Sequence, residues 1–116
     1  MKQTQPMACW PTGDGRPIGI LRMTPDEAAI RYQLEFAEGS DDLDTYRLAA
    51  IEDADVRQLW LFRHDGSPCD GVEVQVDMAV SRTRALAAVE RQLGLGAAAF
   101  EWTTAYETDP RLEFVV

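Results

Sequence analysis

Apolar and polar residues alternate with period two over much of the chain, and with a helical period over one stretch. Pro17–Met23 (PIGILRM) is a short apolar run of strand type. Thr45–Glu52 (TYRLAAIE) reads as a strand pairing back. In Arg57–His64 (RQLWLFRH), Leu59 and Leu61 fall on one face and Trp60 and Phe62 on the other, which predicts a central strand covered on both sides. In Gly71–Val80 (GVEVQVDMAV), Val72, Val74 and Val76 oppose Glu73, Gln75 and Asp77, the mark of a strand with one wet face. Then the period changes. Leu86, Val89 and Leu93 recur at helical spacing with Ala85 and Ala88 beside them. Ser81 is placed to cap the start of that helix. Gly94 is placed for a left-handed cap at its end, with Leu95 folding back toward Val89. Phe100–Glu107 and Arg111–Val116 read as late strands divided by Asp109-Pro110.

Thr24 to Phe36 carries two conflicting signals. Thr24-Pro25-Asp26-Glu27 has the form of a capping box with proline at the first helical position. Ile30, Tyr32, Leu34 and Phe36, however, alternate with Arg31, Gln33 and Glu35. The alternation is the longer pattern, so the expectation is a turn or one helical turn at Thr24–Ala28 followed by a strand. Glu38–Asp44 (EGSDDLD) and Asp53–Asp55 read as polar connections. Residues 1–16 contain Pro6, Pro11, Gly13 and Gly15 with little periodicity, and read as an irregular arm tied down by Trp10.

The sum is an α+β protein. It has a mostly antiparallel sheet of about five to six strands in a meander, and one main helix over 81–94 packed on one face. A chain of 116 residues is expected to form a single domain, 1–116, with a core of its own.

Composition narrows the functional classes. With 46% hydrophobic and 27% charged residues, the chain reads as an ordinary globular protein. No apolar run approaches the roughly 18 residues of a membrane span, and the first residues lack an apolar signal core, so the expected setting is cytoplasmic. Cys9 and Cys69 are therefore expected as free thiols. Twenty acids against eleven bases give a net charge of −9. That balance speaks against nucleic acid and against an anionic membrane, and permits a basic protein partner.

Only Arg63–Gly71 (RHDGSPCDG) gathers chemically versatile residues, including the one histidine, His64, with Cys69, Asp65 and Asp70. Asp65-Gly66 and Ser67-Pro68 are turn chemistry, so a hairpin loop accounts for nearly every residue. Zinc would want four Cys or His ligands in close pairs, which are missing. A Cys69–His64 nucleophile is opposed by Asp65 and Asp70, since nearby negative charge raises a thiol pKa. Asp41, Asp42 and Asp44 lack the spacing of a calcium loop. No catalytic residue, metal or cofactor is assigned.

The acids are unevenly spread. Glu35, Glu38, Asp41, Asp42, Asp44, Glu52, Asp53 and Asp55 fall within 21 residues, with Arg47 as the only base among them. A second group, Glu101, Glu107, Asp109 and Glu113, lies near the C-terminus, while Arg82, Arg84 and Arg91 mark the exposed side of the helix. Clustered carboxylates present a surface that steers and discriminates a basic partner. Tyr46, Tyr106, Trp10 or Trp102 can serve as aromatic anchors. The expected partner-binding set is Glu38, Asp41, Asp42, Asp44, Tyr46, Asp53 and Asp55. The functional expectation is a small acidic binding protein without catalysis, of the inhibitor or immunity type, that neutralises a basic bacterial effector or toxin such as a nuclease. The alternative is a small enzyme or ligand-binding domain with a pocket between sheet and helix near His64 and Cys69.

Overall fold

A computed structural model describes residues 1–104. In chain order its elements are β1 (Lys2–Thr4), β2 (Gly15–Leu21), α1 (Pro25–Tyr32), β3 (Ala37–Ser40), β4 (Thr45–Asp53), β5 (Arg57–His64), β6 (Val72–Asp77), α2 (Arg82–Leu93), a short 3-10 turn (Ala97–Ala99) and β7 (Phe100–Thr103). The strands form one antiparallel sheet in the order β1-β4-β5-β6-β2-β7, with β3 also on β4. β3 pairs with Thr45–Leu48 and β1 with Ala50–Glu52, so the two short strands share the outer edge of β4 end to end. The antiparallel succession β4-β5-β6 is as expected. Among the described residues there are seven strands and two helices rather than five or six and one.

The helices cover one face. Ile18, Leu21, Ile51, Leu59, Leu61, Val72, Val74 and Val76 project from the sheet into one core with Ala28 of α1 and Ala85, Ala88, Val89 and Leu93 of α2. The small alanines let the helices approach the sheet closely, and valines fill the pleat beneath them. α2 starts at Ser81, whose hydroxyl accepts from the Arg84 amide at 3.2 Å. It ends at Gly94, where φ is 70° and the amide reaches the Glu90 carbonyl at 2.9 Å. Leu95 packs back on the core.

The strand expected after Ala28 is a helix instead. The capping box at Thr24 is complete: the Glu27 amide donates to the threonine hydroxyl, and the Thr24 amide to the Glu27 carboxylate, each at 3.1 Å. The buried stripe of α1 is made of Pro25 and Ala28, too small to register as a hydrophobic pattern. The alternation is coincidental, because Ile30 is 82% exposed. The polar connection expected at Glu38–Asp44 is strand up to Ser40, and the strand expected to reach Val80 ends at Asp77 in a turn closed by the Val80 amide. Arg111–Val116 and the end of the Phe100–Glu107 stretch lie outside the described residues.

The described residues cover the second sheet face only in part. Of residues 1–16, Lys2–Thr4 are a strand and Gly15–Arg16 begin β2; the irregular part lies between them. That part straps across the outer face. Trp10 is 4% exposed, its ring centroid 4.3 Å from that of Trp60. The Gln58 side chain donates to the Gln5 carbonyl at 2.8 Å and accepts from the Met7 amide at 3.1 Å, and Thr12 donates to Asp77. The cover expected on both sides of β5 is therefore found at Gln58 and Trp60 only. Phe62 and His64, farther along β5, are half-buried and outside this strap.

Candidate functional site

The hairpin linking β3 and β4 is built by its own acids. Both oxygens of Asp41 are in use. Its Oδ1 accepts from the amides of Leu43 and Asp44, each at 2.9 Å, and its Oδ2 lies 2.7 Å from Nε2 of His64. Asp44 Oδ1 takes the Thr45 amide at 2.8 Å, and Oδ2 takes the Gly66 amide of the β5–β6 turn. The Thr45 hydroxyl donates to Asp65, whose amide returns to the Thr45 carbonyl at 3.0 Å. Two loop tips about twenty residues apart in sequence are thereby fastened into one rim. The His64 ring beside Asp41, helped by the two amides, holds that carboxyl down at a pKa of about 2.

Between the tips lies an open recess of about 300 Å³, lined by Glu38, Gly39, Ser40, Thr45, Tyr46 and Asp65. Tyr46 forms its aromatic wall. Its ring lies across Gly39, where a Cβ would come within 2.6 Å of it, so only glycine allows this placement. Among the described residues, two carboxylates and no cationic side chain line the recess. At the tip, Asp42 is exposed and Leu43 is 92% exposed, an apolar side chain standing among acids.

Glu38, Asp41, Asp42, Asp44 and Tyr46 of the expected set therefore come together. Asp53 and Asp55 do not; they lie at the far end of β4, roughly 30 Å away at ordinary strand rise. The Asp53 carboxylate is wholly buried, accepting from Arg91 at 2.8 and 2.9 Å, from the Gln92 amide group at 2.8 Å and from the amides of Asp55 and Val56 at 3.0 Å. Those donors, Arg91 foremost, hold its carboxyl well below the usual range against the opposing effect of burial. Asp55 pairs with Arg84 at 3.1 Å. These two acids fasten α2 to the β4–β5 turn.

Of the anticipated aromatic anchors, Trp10 is buried, Tyr46 walls the recess, Trp102 is 50% exposed and Tyr106 lies outside the described residues. Cys9 and Cys69 are free thiols. His64 and Cys69 open into different recesses: Cys69 lines one with Arg22, Glu27 and Glu101, and His64 a separate pit with Ile20, Phe62 and Glu73. Among the described residues, no group of three or more His, Cys, Asp or Glu side chains is arranged to hold a metal ion. None of their helices is long and apolar enough to cross a membrane.

Sequence reasoning read Asp65 only as part of a turn, outside the partner-binding set, and passed over Leu43 and the ring cluster of Tyr46, Phe62 and His64. Phe62 lies 4.9 Å from Tyr46 and 4.7 Å from His64 between ring centroids. The same-face parity of Trp60, Phe62 and His64 was available as a signal, but nothing in the pattern showed that the strap would stop at Trp60. Comparison of the chain with family models, with curated proteins and with solved structures finds no match in any of the three.

Proposed function

We propose that this chain is a small acidic binding protein of the inhibitor or immunity type, which neutralises a basic effector or toxin by presenting the β3–β4 hairpin and its recess to the partner's cationic surface. One observation carries the reading: among the described residues, the recess is lined by Glu38 and Asp65 with an aromatic wall and no cation. Asp41, Asp44 and Asp65 are held by hydrogen bonds before the partner arrives and lose little freedom on binding, which lowers the cost of association. Leu43 adds an apolar contact at the tip, and the net charge of −9 steers a basic partner toward the surface. On a nuclease, such carboxylates would occupy the place of substrate phosphates. The separation of His64 and Cys69 gives no support to a pocket chemistry shared between them.

The test is capture from the source lysate at low salt, elution along a salt gradient, and titration of the purified partner against wild-type and Glu38→Lys/Asp42→Lys chains. A basic protein whose activity is blocked by the wild type, and whose affinity falls at least tenfold with the double variant, is the expected result. Equal affinity for the two chains, or retention of no basic protein at any salt, rejects the reading.

A further inference from the structure

The outer sheet face beyond the N-terminal strap carries one continuous cross-strand row. Trp102 of β7 pairs with Ile20 of β2, Ile20 with Glu73 of β6, Glu73 with Phe62 of β5, and Phe62 with Leu48 of β4. At ordinary strand spacing the row is about 19 Å wide. Four of its five members are apolar or aromatic. The fifth, Glu73, stands at the centre of the row in a pit of about 50 Å³ that Ile20, Phe62, Arg63, His64, Ser67 and Gly71 also line.

Among the described residues, the Glu73 carboxylate accepts one side-chain hydrogen bond, from the Gln75 amide group at 2.5 Å. No cation among the described residues pairs with it. The two nearest candidates are directed elsewhere: the Arg63 guanidinium toward the Cys69 carbonyl at 3.3 Å and Asp70 at 3.8 Å, and the His64 ring toward Asp41. Glu73 is a half-buried carboxylate in a pit of mixed polar and apolar lining, its two neighbouring cations turned to other acceptors, so a cation delivered from outside can pair with it.

We propose that this row is a second contact surface for the basic partner, and that Glu73 receives an arginine side chain from it. Arginine fits better than lysine. Its planar, weakly hydrated guanidinium stacks on aromatic faces such as Phe62 while donating to a carboxylate. A second copy of this chain is a poor occupant, because a symmetric contact would bring no cation to Glu73 from the facing row. The row meets the acidic recess through Tyr46, whose ring contacts Phe62, so one partner can span both. The inference rests on the binding-protein reading in that sense, but its own site is separable from the recess.

The probe is the capped tripeptide acetyl-Leu-Arg-Leu-amide, titrated into the full chain and followed by backbone amide NMR shifts, with acetyl-Leu-Gln-Leu-amide as control. The expected result is saturable shifts on β2, β5 and β6 around Ile20, Phe62 and Glu73 with the arginine peptide only, weakened about tenfold in Glu73→Gln. Phe62→Leu, which keeps an apolar side chain, should also weaken binding, and unchanged spectra elsewhere verify that each variant is folded. Shifts confined to Glu38, Tyr46 and Asp65, lost in Glu38→Lys and kept in Glu73→Gln, overturn the inference and leave the proposed function standing. Equal response to both peptides also overturns it. A concentration-dependent dimer protecting the same row assigns the face to a second copy and rejects the proposal.

Discussion

Arg91 meets Asp53 in a two-point fork: Nε is 2.9 Å from Oδ1 and Nη2 is 2.8 Å from Oδ2, across 38 residues of sequence. Three further donors complete the carboxylate, so its removal leaves several polar groups without an acceptor. Asp53→Ala should therefore destabilise the fold by about 2–4 kcal/mol, the lower part of that range reflecting that Arg91 itself is well solvated. The carboxyl is held below its unfolded value, so its contribution is complete above a pH of about 3.9 and is lost as pH falls toward the folded pKa. Urea unfolding of the two chains at neutral pH and in acid measures both effects. Equal stability at neutral pH, or a difference that grows on acidification, would contradict the assignment.

Asp41 offers a test that is local. Its pKa of about 2, against 3.8 for an ordinary aspartate, is owed first to the His64 ring. In His64→Ala the titration midpoint should rise toward 3.8, though not fully, because two backbone amides remain. Carbon-13 NMR of the carboxyl group reads it directly. Since the folded pKa is depressed, the stability linked to this group is present above the unfolded pKa and disappears as pH falls through the range between the two values. An unmoved midpoint would show that the ring does not hold the carboxylate.

The first helix was only half legible, for a physical reason. Its start is written in Thr24-Pro25-Asp26-Glu27, but its inner stripe is proline and alanine, and its end carries no glycine. Gln33 takes the left-handed conformation there, φ 55° and ψ 47°, with its amide donating to Ala29. A side chain in that region costs roughly 1 kcal/mol. Gln33→Gly should accordingly raise stability by about 0.5–1 kcal/mol, and Thr24→Ala should lower it by about 1 kcal/mol. Thermal unfolding of both variants decides it; a destabilising Gln33→Gly would point to an unrecognised role for the glutamine.

By contrast, α2 was legible throughout, because Ser81, Gly94 and the Leu86–Val89–Leu93 spacing are all local signals. So was the hairpin nature of Arg63–Gly71. The candidate site was legible only in composition. A run of acids says nothing about which members turn inward, and Asp53 and Asp55 are engaged by Arg91 and Arg84, residues that sequence reading placed on an exposed helix face. The fastening of Asp44 to Gly66 and of Thr45 to Asp65 is likewise a tertiary event between separate loops. The recess exists because of it.

Leu43 separates stability from recognition. At 92% exposure it contributes almost nothing to the core, so Leu43→Ala should change stability by no more than about 0.5 kcal/mol. If the hairpin tip enters a partner, the same change should weaken binding severalfold without altering its salt dependence. Calorimetry at two salt concentrations distinguishes this from the charge variants, which should flatten the salt response. Unaltered affinity would place the contact surface away from the tip.

The strap predicts the last behaviour. Trp10 closes over Trp60 at 4.3 Å, and the Gln58 contacts hold the chain on either side of Pro6. Removing the indole takes away most of the apolar cover on that half of the outer face. Trp10→Ala should then cost about 3 kcal/mol, as expected for deletion of a buried aromatic side chain. It should also extend the open row from Phe62 to Trp60, joining two apolar regions that the strap now keeps apart. A larger exposed patch promotes self-association. Sedimentation should therefore reveal a larger mean mass for the variant than for the wild type at the same concentration. A variant equally stable and equally dispersed would mean that residues 5–14 lie on the sheet without holding it.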